Sequence, residues 1–570
     1  MMHMQSKSFT LDFSGKTLTA EFTDLAAQTN GSVLLKLEET AVLVTATMSK
    51  RESPQSYFPL SVEFEEKFYA AGAIPGSRFQ KREGQPSEAA ILSARAIDRT
   101  IRPLFDHTIR RDIQVVVTVL AVGEDDPDIL GIIGASLALG VSDIPWAGPV
   151  GAVRIGRRKH DGEILINPNY TDRADEQLSF EILTCGQDNT LGMIEAAGME
   201  ITEPDMVAVL DATVALHEHV VHWQRKIIAE LGQEKIVFDQ SKTPKQVAQL
   251  FETQFKQTLE EVIFSSRPGK DHIYELKHVF VETASELEVE VVVAGEYFET
   301  QIDKILHDGA IKHQKRADGR ALDTVQPLFA KAGGISPVLH GSGIFYRGGT
   351  HIFSALTLGS PDAAQQLDTM EDRDTKKRFL HHYNFPPHSV GETGRVGEFS
   401  RRVIGNGTLV EKALRPVIPT QEQFPYTIGL VLETLASNGS SSMGSVCAAT
   451  LALMDGGVPI KRPVAGIALG VMIEGDKHAV LTDIQGPENE FGDMDLKVAG
   501  TTVGITAIQM DVKMTGIPIH ILREAIDQAR VARLQILETI QAELAAPRPD
   551  ISDRAPHTLT KPKKSAIQRQ

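Results

Sequence analysis

The stretch TNGSVLLKLEETAVLVTATMS, residues 29–49, has a counterpart 310 positions later in LHGSGIFYRGGTHIFSALTLG, residues 339–359. The two align without a gap and share a Gly-Ser pair and two threonines at equal spacing. In both, apolar residues alternate with other residues, which is typical of the strands of a half-buried β-hairpin. The sequence therefore predicts the same hairpin in two places.

Two further pairs of segments extend this repeat. IDRTIRPLF, from Ile97, matches VEKALRPVI, from Val410, and ASLALGVSDIP, from Ala135, matches ATLALMDGGVP, from Ala449. Across the three matches the offset drifts only from 310 to 314, and the order is the same. Because chance would hardly produce three ordered matches, we infer that the chain contains one structural unit twice, as a first copy and a second copy.

The rest of the chain has a different character. We place the first copy at residues 1–214 and the second copy at residues 311–544. Between them, residues 215–310 carry apolar residues at helical spacing and few strand signals, which predicts an all-helical domain. Residues 545–570 are rich in proline and basic residues and lack a period, so we expect a disordered tail.

Composition narrows the class of protein. A chain of 570 residues suits roughly three or four domains, and 42% hydrophobic with 23% charged residues is typical of a soluble globular protein. The net charge of -17 argues against unspecific coating of nucleic acid but allows RNA to bind in a locally basic channel. The two cysteines lie in apolar contexts, which favours reduced thiols in the cytoplasm. No signal peptide or membrane span is predicted.

Three serines, Ser440, Ser441 and Ser442, stand at the start of an apolar, helix-like run. The first N–H groups of a helix lack partners and the helix dipole favours an anion there, so this serine loop is a candidate phosphate site. A triple serine before a helix is equally typical of a simple cap. The aligned segment of the first copy is GEDDPD, residues 123–128, whose four carboxylates would repel phosphate.

A second group of candidates lies in GDMDLK. Asp493, Asp495 and Lys497 alternate, so on a strand they would share one face, where the two carboxylates could hold Mg²⁺. A solvated edge strand would show the same pattern. We align Ser179 and Glu181 of the first copy with Asp495 and Lys497.

The pair Arg401 and Arg402 offers fork-shaped donors that suit phosphate oxygens, although exposed basic pairs are common. In the first copy, Glu88 and Ala89 take their places. The serine loop and the arginine pair are therefore specific to the second copy. We predict the second copy to be the working one.

Several motifs together resemble the bacterial polynucleotide phosphorylases: EFEEKFYAAGAIPGS, KREGQPSE, RADGR, VGETGRVGEFSRR, NGSSSMGSV and GDMDLKVAGT, in this order. The resemblance implies an α+β fold with two ribonuclease PH-like domains joined by an all-helical domain. It also implies a cytoplasmic homotrimer around a central RNA channel, working in an RNA-degradation complex. The implied activity is phosphate-dependent 3′-to-5′ removal of nucleoside diphosphates from single-stranded RNA, as in mRNA degradation, and its reverse, template-independent polymerisation.

The same resemblance implies the roles of particular residues. Inorganic phosphate, the co-substrate, binds at Ser440, Ser441 and Ser442, and the catalytic residues are Asp495, Lys497, Arg401 and Arg402. Mg²⁺, or Mn²⁺ in its place, binds at Asp495 and more weakly at Asn489. In RFQKREG, Phe79 stacks on a base while Lys81 and Arg82 contact phosphates of the RNA.

The chain also departs from the family pattern. Asn406 replaces a histidine near the phosphate site, and Asn489 replaces an acidic metal ligand, whose charge Glu488 or Glu490 could restore. Other departures are Gly349 and His351 in RGGTH, one extra residue in the RNA-gripping loop, and Arg78 in that loop in place of an expected aromatic residue. The KH domain and oligonucleotide-binding barrel that follow the family core are not found in these residues, so we expect weaker RNA capture.

Three functions follow as hypotheses. The first is a phosphorolytic exoribonuclease and polymerase, with activity reduced by the two asparagines. The second is a trimeric RNA-binding or scaffold protein that has lost catalysis. The third is a hydrolytic nuclease of the same fold, which would release monophosphates and need no phosphate.

Overall fold

The computed structural model describes residues 6–55, 57–75, 81–174, 178–238, 244–267, 269–371, 373–397 and 400–556. The first copy opens with β1 (Ser6–Phe13), β2 (Lys16–Thr23), β3 (Gly31–Leu37), β4 (Thr40–Glu52), β5 (Leu60–Glu65), α1 (Glu88–Ile101), β6 (Arg111–Ala121) and α2 (Pro127–Val141). The strands form one sheet in the order β1-β2-β3-β4-β6-β5, with only β5 and β6 parallel among these neighbours. Alternate residues of β3 and β4 are buried under α2, as the two-residue period predicts.

The first copy continues into a second group of elements. These are β7 (Gly151–Arg158), β8 (Ile164–Ile166), α3 (Tyr170–Arg173), β9 (Leu178–Gln187), β10 (Thr190–Ile201) and α4 (Glu203–Leu231). The long helix α4 begins at the cap Thr202 and packs on β7 and β9. The predicted domain boundary after residue 214 therefore falls inside one continuous helix, and we correct it: α4 belongs with the first copy.

A bundle of four helices separates the copies, as the helical spacing predicts. We call it the helical insert; its helices are α5 (Lys245–Leu250), α6 (Lys256–Ile263), α7 (Asp271–Ser285) and α8 (Val291–His313). A π-helical turn, Phe251–Phe255, joins α5 to α6. The rings of Phe251, Phe280 and Phe298 are buried together, in an apolar cluster that also includes residues of the second copy such as Leu481.

The second copy repeats the first sheet. It contains β11 (Leu328–Ala332), β12 (Gly341–Arg347), β13 (Thr350–Gly359), β14 (Gln365–Asp368), β15 (Arg373–Lys377), β16 (Phe379–Asn384), α9 (Arg401–Leu414), β17 (Thr427–Ala436) and α10 (Ser441–Asp455). Its main sheet has the order β11-β12-β13-β17-β16, again with one parallel pair, β16 and β17. The strands β14 and β15 form a separate hairpin.

One sheet joins the two copies. The remaining elements are β18 (Ala465–Glu474), β19 (Lys477–Thr482), α11 (Gly486–Phe491), β20 (Met494–Gly500), β21 (Ile505–Val512), β22 (Ile517–Pro518) and α12 (Ile519–Glu543). The nine-stranded sheet runs β19-β18-β20-β21-β10-β9-β7-β8, and β22 pairs with β10 off this path. Because β10 of the first copy pairs with β21 of the second, each copy completes the other's sheet.

The predicted repeat is confirmed element by element. The strands β3 and β12 begin at Gly31 and Gly341, and the helices α1 and α9 have the same length of 14 residues. The predicted disorder after residue 544 is wrong for residues 545–556. There the Arg548 amide donates to the Met454 carbonyl and Ala555 is buried in the second copy's core, while residues 557–570 lie outside the described part.

Candidate active site

The serine loop stands at the start of α10 and its three side chains are nearly buried. Ser440, Ser441 and Ser442 are 8%, 5% and 2% exposed. Ser441 Oγ shares a hydrogen bond of 2.7 Å with the hydroxyl of Tyr383, on β16. Ser440 occupies the N-cap position but caps nothing, and its buried Oγ has no hydrogen-bond partner. A helix N-terminus with an unused buried hydroxyl provides donors for an anion.

Arg347 holds the backbone of this loop. Arg347 Nη2 donates to the Ser440 carbonyl at 2.7 Å, and Arg347 Nε lies 2.9 Å from Asp483 Oδ1 in a fully buried ion pair. Gly439 has φ +110, and a Cβ there would lie 2.6 Å from the Ile484 carbonyl oxygen. Only glycine fits this close approach, which explains the Asn-Gly that precedes the serines.

Asp495 and Lys497 share one face of β20, as the alternation predicts. Lys497 Nζ lies 3.0 Å from Asp495 Oδ2, 3.6 Å from Asp511 Oδ2 and 3.4 Å from Gln509 Oε1. The other oxygen, Asp495 Oδ1, is buried and has no hydrogen-bond partner. This free acceptor is the strongest feature of a cation site at this position.

Arg99 of the first copy interacts with the charged residues beside Asp495 and Lys497. Arg99, on α1, donates to the carboxylate of Asp511 and, through Nη1, to Glu195 Oε1 at 2.6 Å. Burial alone would raise the pKa of Asp511, but Arg99 and Lys497 outweigh it and hold that pKa below its usual value. The charges beside Asp495 are therefore arranged by residues of both copies.

The acidic residues near Asn489 are engaged elsewhere, which corrects two predictions. Glu488 forms a buried bidentate ion pair with Arg316, at 2.8 and 2.5 Å. Glu490 accepts from Lys270 and Tyr274 of the helical insert, so neither glutamate is free to restore the charge that Asn489 lacks.

Asp493, predicted to face the same site as Asp495, instead accepts from His307 Nε2 and the Ile473 amide. It precedes β20, so the alternation does not extend to it.

The donor set that remains suits a magnesium ion. Asp495 Oδ1 is a free carboxylate oxygen, and Asn489, half-buried on α11, carries an amide oxygen. Mg²⁺ is usually held by one or two carboxylates together with waters and substrate phosphates. Within the described ranges, no group of three His, Cys, Asp or Glu side chains could enclose a metal by itself. The residues therefore fit an open Mg²⁺ site that substrate completes.

The two predicted arginines have different surroundings. Arg401 begins α9 and donates to the Val62 carbonyl and to the carboxylate of Glu63, both in the first copy. The guanidinium of Arg402 lies 5.4 Å from the centre of the Phe385 ring, which is 6.4 Å from the Tyr383 ring. Since Tyr383 contacts Ser441, Arg402 is linked to the serine loop through two aromatic rings.

The strand registers correct the alignment of the two copies in this region. Gly186 pairs with the first residue of β7 and Gly500 with the first residue of β18, so β9 and β20 correspond at an offset of 314. The corrected pairs are Glu181 with Asp495 and Leu183 with Lys497, instead of Ser179 with Asp495 and Glu181 with Lys497.

In the first copy, an arginine fills the equivalent site. Arg154 Nη2 lies 3.0 Å from Asp126 and 3.4 Å from Asp128, and Nη1 pairs with Glu181. Burial and the neighbouring Asp126 raise the pKa of Asp128 to about 8. These acids correspond to Ser440, Ser442 and Asp495. The first copy therefore neutralises its carboxylates internally, whereas in the second copy Ser440 Oγ and Asp495 Oδ1 have no hydrogen-bond partner among the described residues.

Comparison with known proteins agrees with this repeat. Residues 14–145 and 324–459 both match the 3′ exoribonuclease family, domain 1. The polyribonucleotide nucleotidyltransferase of Synechococcus elongatus is 42% identical over 568 residues, which cover 97% of this chain and 78% of the relative. That of Rubrobacter xylanophilus is 45% identical over 545 residues, covering 95% and 78%.

The chain belongs to the polyribonucleotide nucleotidyltransferase family. A third member, from Anoxybacillus flavithermus, is 43% identical and covers 98% of this chain and 80% of its own length. Among solved structures, rice (Oryza sativa) Rrp46 is 18% identical, with a TM-score of 0.32 over 40% of this chain and 98% of that chain.

The positions that depart from the polyribonucleotide nucleotidyltransferase pattern are distributed around the serine loop. Asn406 is buried within α9. A Cβ on Gly349 would lie 3.1 Å from Cβ of Asn438, at the start of the loop, whereas the His351 ring stacks on Tyr346 at 3.8 Å. Gly349 thus allows Asn438 to approach closely, and a larger residue at this position would require Asn438 to shift.

The predicted RNA-gripping residues are only partly described. Lys81 and Arg82 are exposed on the segment that leads into α1. Phe79 and Arg78 lie outside the described residues. Their role in this polyribonucleotide nucleotidyltransferase family member stays a prediction.

Sequence reasoning missed the residues that support the site. They are Arg347, Tyr383, Asp483, Asp511 and Arg99. For Arg347, Asp483 and Asp511 the signal is a charged residue in or directly after a strand that is otherwise apolar. Arg99 on α1 and Tyr383 on β16 show no such signal. Their partners are distant in sequence, so no local motif connects them.

Proposed function

We propose that this chain degrades single-stranded RNA from its 3′ end by phosphorolysis, releasing nucleoside diphosphates, and that the reverse reaction extends RNA without a template. One observation carries the proposal for the second copy as the active one. Ser440 Oγ and Asp495 Oδ1 are buried and unpartnered there, while Arg154 joins the equivalent acids of the first copy. The names of the relatives and the matching exoribonuclease family support the reaction class.

The serine loop would bind the attacking phosphate. The free hydroxyl of Ser440 and the first amides of α10 offer donors to its oxygens, and Arg402 adds positive charge nearby. An oxygen of hydrogen phosphate attacks the phosphorus of the last linkage, whose bond to the 3′ oxygen breaks. The phosphate's proton passes to that 3′ oxygen, so the products are a nucleoside diphosphate and a shortened RNA with a 3′-hydroxyl.

The residues of β20 would stabilise the leaving group. Lys497, held by Asp495 and Asp511, places a cation where negative charge develops. Asp495, assisted by the amide oxygen of Asn489, would hold Mg²⁺ or Mn²⁺. When bound, the metal neutralises charge on the phosphoryl and leaving oxygens. Positioning and neutralisation of this kind supply most of the catalysis of phosphoryl transfer.

The RNA itself would be gripped by the first copy. In this proposal Phe79 stacks on a base, while Lys81 and Arg82 contact the backbone, which is a grip that does not depend on sequence. A homotrimer around a central channel would bring three such segments together. Action in the cytoplasm, as part of an RNA-degradation complex in mRNA turnover, completes the proposal and agrees with two buried free thiols. Among the helices described, none is long and apolar enough to cross a bilayer.

The test uses purified protein, a short RNA with a 3′-hydroxyl, Mg²⁺ and inorganic phosphate, with a reaction lacking phosphate as the control. We expect nucleoside diphosphates only when phosphate is present. Monophosphates without phosphate would indicate a hydrolytic nuclease instead. Intact RNA that binds but is not shortened, in Mg²⁺ or Mn²⁺, would indicate a scaffold without catalysis. Native mass measurement of the same sample tests the trimer.

A further inference from the structure

The short helix α11, Gly486–Phe491, carries Asn489, and Glu488 in it is bound by Arg316. It has six residues, and a helix of that length is unstable without tertiary contacts. On one side Asn438 Nδ2, from the serine loop, donates to Gln485 Oε1 at 3.1 Å. On the other side, a Cβ on Gly486 would lie 3.2 Å from the carbonyl oxygen of Gly269, just before α7. The helix is therefore enclosed between the serine loop and the helical insert.

Hydrogen bonds and ion pairs from the helical insert hold α11 and the start of β20. At α11, Tyr274 donates its hydroxyl to Glu490 Oε1 at 2.5 Å, and Lys270 Nζ lies 2.9 Å from Glu490 Oε2. At the start of β20, His307 Nε2 lies 2.9 Å from Asp493 Oδ2, which also accepts the Ile473 amide at 2.8 Å.

His307 is well placed for this contact. Its side chain is only 12% exposed, and its second nitrogen, Nδ1, lies 2.9 Å from the Asp303 carbonyl oxygen. The ring is therefore fixed at both nitrogens, between its own helix and β20. Every acid from Glu488 to Asp493 is bound to a residue outside the segment, which leaves Asn489 and Asp495 for the site.

We infer that the helical insert is a positioning element of the active site, in which Tyr274 and His307 hold α11 and the start of β20 so that Asn489 and Asp495 bind one metal ion. This inference rests on the proposed function. Mg²⁺ requires near-ideal octahedral geometry with oxygen ligands at about 2.0–2.1 Å, so small shifts of a supporting strand weaken binding. Groups outside the ligands commonly alter metal affinity for this reason. Tyr274 and His307 are positioning residues, since neither touches the reacting atoms.

The test compares Tyr274→Phe and His307→Leu with wild type and with the control Tyr297→Phe. The control removes a hydroxyl from the same insert, but its ring packs on Phe251 and Phe280 rather than on α11. Mn²⁺ binding is measured by electron paramagnetic resonance, and the Mg²⁺ dependence of phosphorolysis is measured in parallel. We expect both variants to weaken Mn²⁺ binding about tenfold and to recover the wild-type rate at saturating metal. His307→Gln, which retains a donor, should recover most of the affinity.

Several outcomes would overturn the inference. Unchanged Mn²⁺ affinity in both variants, or an equal loss in Tyr297→Phe, would contradict it. A loss of rate that excess metal does not restore would indicate a general structural role. If His307→Leu does not fold, Tyr274→Phe still decides, because it removes a single hydroxyl. A wild type that binds Mn²⁺ without phosphorolysis would refute the proposed function and leave this test valid.

Discussion

Ser440 Oγ and Asp495 Oδ1 are buried side-chain oxygens that lack a hydrogen-bond partner among the described residues. A buried polar group left in this state costs about 1–3 kcal/mol of stability. Native proteins satisfy most such groups, and those left over call for an explanation such as a ligand or an ion. Phosphate at Ser440 and a metal at Asp495 would provide the missing interactions.

Replacing Ser440 therefore separates binding from stability. Ser440→Ala removes no hydrogen bond of the free protein, so we expect an unchanged or slightly higher melting temperature. The KM for phosphate should rise about tenfold, the scale of one hydrogen bond to a charged group. Ser445→Ala is the control, because Ser445 Oγ is equally buried and unpartnered but lies further along α10. A lower melting temperature without a change in KM would contradict the assignment.

Removing the charge at Asp495 should strongly reduce turnover. Asp495→Asn retains the shape of the side chain but loses the charge that attracts the metal and pairs with Lys497. We expect the rate of diphosphate release to fall by about 10²–10³, the range for loss of one electrostatic contact to the transition state. RNA binding in the absence of metal should persist. Asp476→Asn, in the exposed turn between β18 and β19, is the control and should have the wild-type rate.

A substitution that restores an acid at position 489 should lower the Mg²⁺ requirement. Asn489→Asp adds a negative charge to a site in which Glu488 and Glu490 are already engaged. We expect the Mg²⁺ concentration for half-maximal phosphorolysis to fall about tenfold, as for other changes around metal sites. Asn489→Ala should raise it. An unchanged requirement in both variants would mean that Asn489 does not contact the metal.

At the scale of secondary-structure elements, a titratable histidine is buried where α4 packs on β9. His217, on α4, is fully buried, and its Nε2 lies 3.1 Å from the Thr184 carbonyl oxygen on β9. Burial lowers the pKa of His217 to about 4, so the folded protein retains it in the neutral form at pH 7. At pH values between the pKa of His217 in the folded protein and its unfolded pKa of about 6.5, the unfolded chain binds a proton at His217 that the folded chain does not.

Stability should therefore decrease as the pH falls below about 6.5. We expect this group to reduce the free energy of unfolding by about 2 kcal/mol between pH 7 and pH 5. Urea unfolding of wild type and His217→Gln at both pH values measures it. The variant should lose less stability over this interval than wild type. Equal losses would show that His217 is not buried in its neutral form.

At the scale of the whole molecule, the first copy supports the chemistry of the second. The two copies share a nine-stranded sheet through β10 and β21, and α1 packs on α9. Arg99 of the first copy binds Asp511, which in turn contacts Lys497. In the proposed function, the first copy thus contributes one cation to the candidate active site of the second copy, although Arg154 fills the equivalent site of the first copy.

Loss of this arginine should impair catalysis at a distance. Arg99→Met leaves Asp511 without its main partner and Glu195 with Lys412 alone, and breaking a buried ion pair typically costs about 3–5 kcal/mol of stability. Because Asp511 would then draw Lys497 away from Asp495, we expect kcat to fall at least about tenfold. Stability and kcat are both measured below the melting temperature of the variant. Arg158→Met, at a surface ion pair on β7, should change stability little and leave kcat unchanged.

Much of the architecture could be predicted because it depends on local pattern. Alternation over residues 29–49 and 339–359 predicts two hairpins, and these are β3–β4 and β12–β13. Where the copies share few identical residues, the alignment of Ser179 and Glu181 is two positions out, because hydrogen-bond register sets that correspondence. The boundary after residue 214 failed for a similar reason: a helix that is amphipathic on both sides of the boundary has no local end signal.

The sequence by itself determined the repeat, the helical insert and the residues able to do chemistry, such as Ser440 and Asp495. These depend on residue type and on periods of two or 3.6, which are properties of neighbouring positions. Only the tertiary structure decided which charges meet: Arg154 with the acids of the first copy, Arg99 with Asp511, and His307 with Asp493. A charged side chain has no periodic signature, and its effect depends on the partner and the burial that folding supplies.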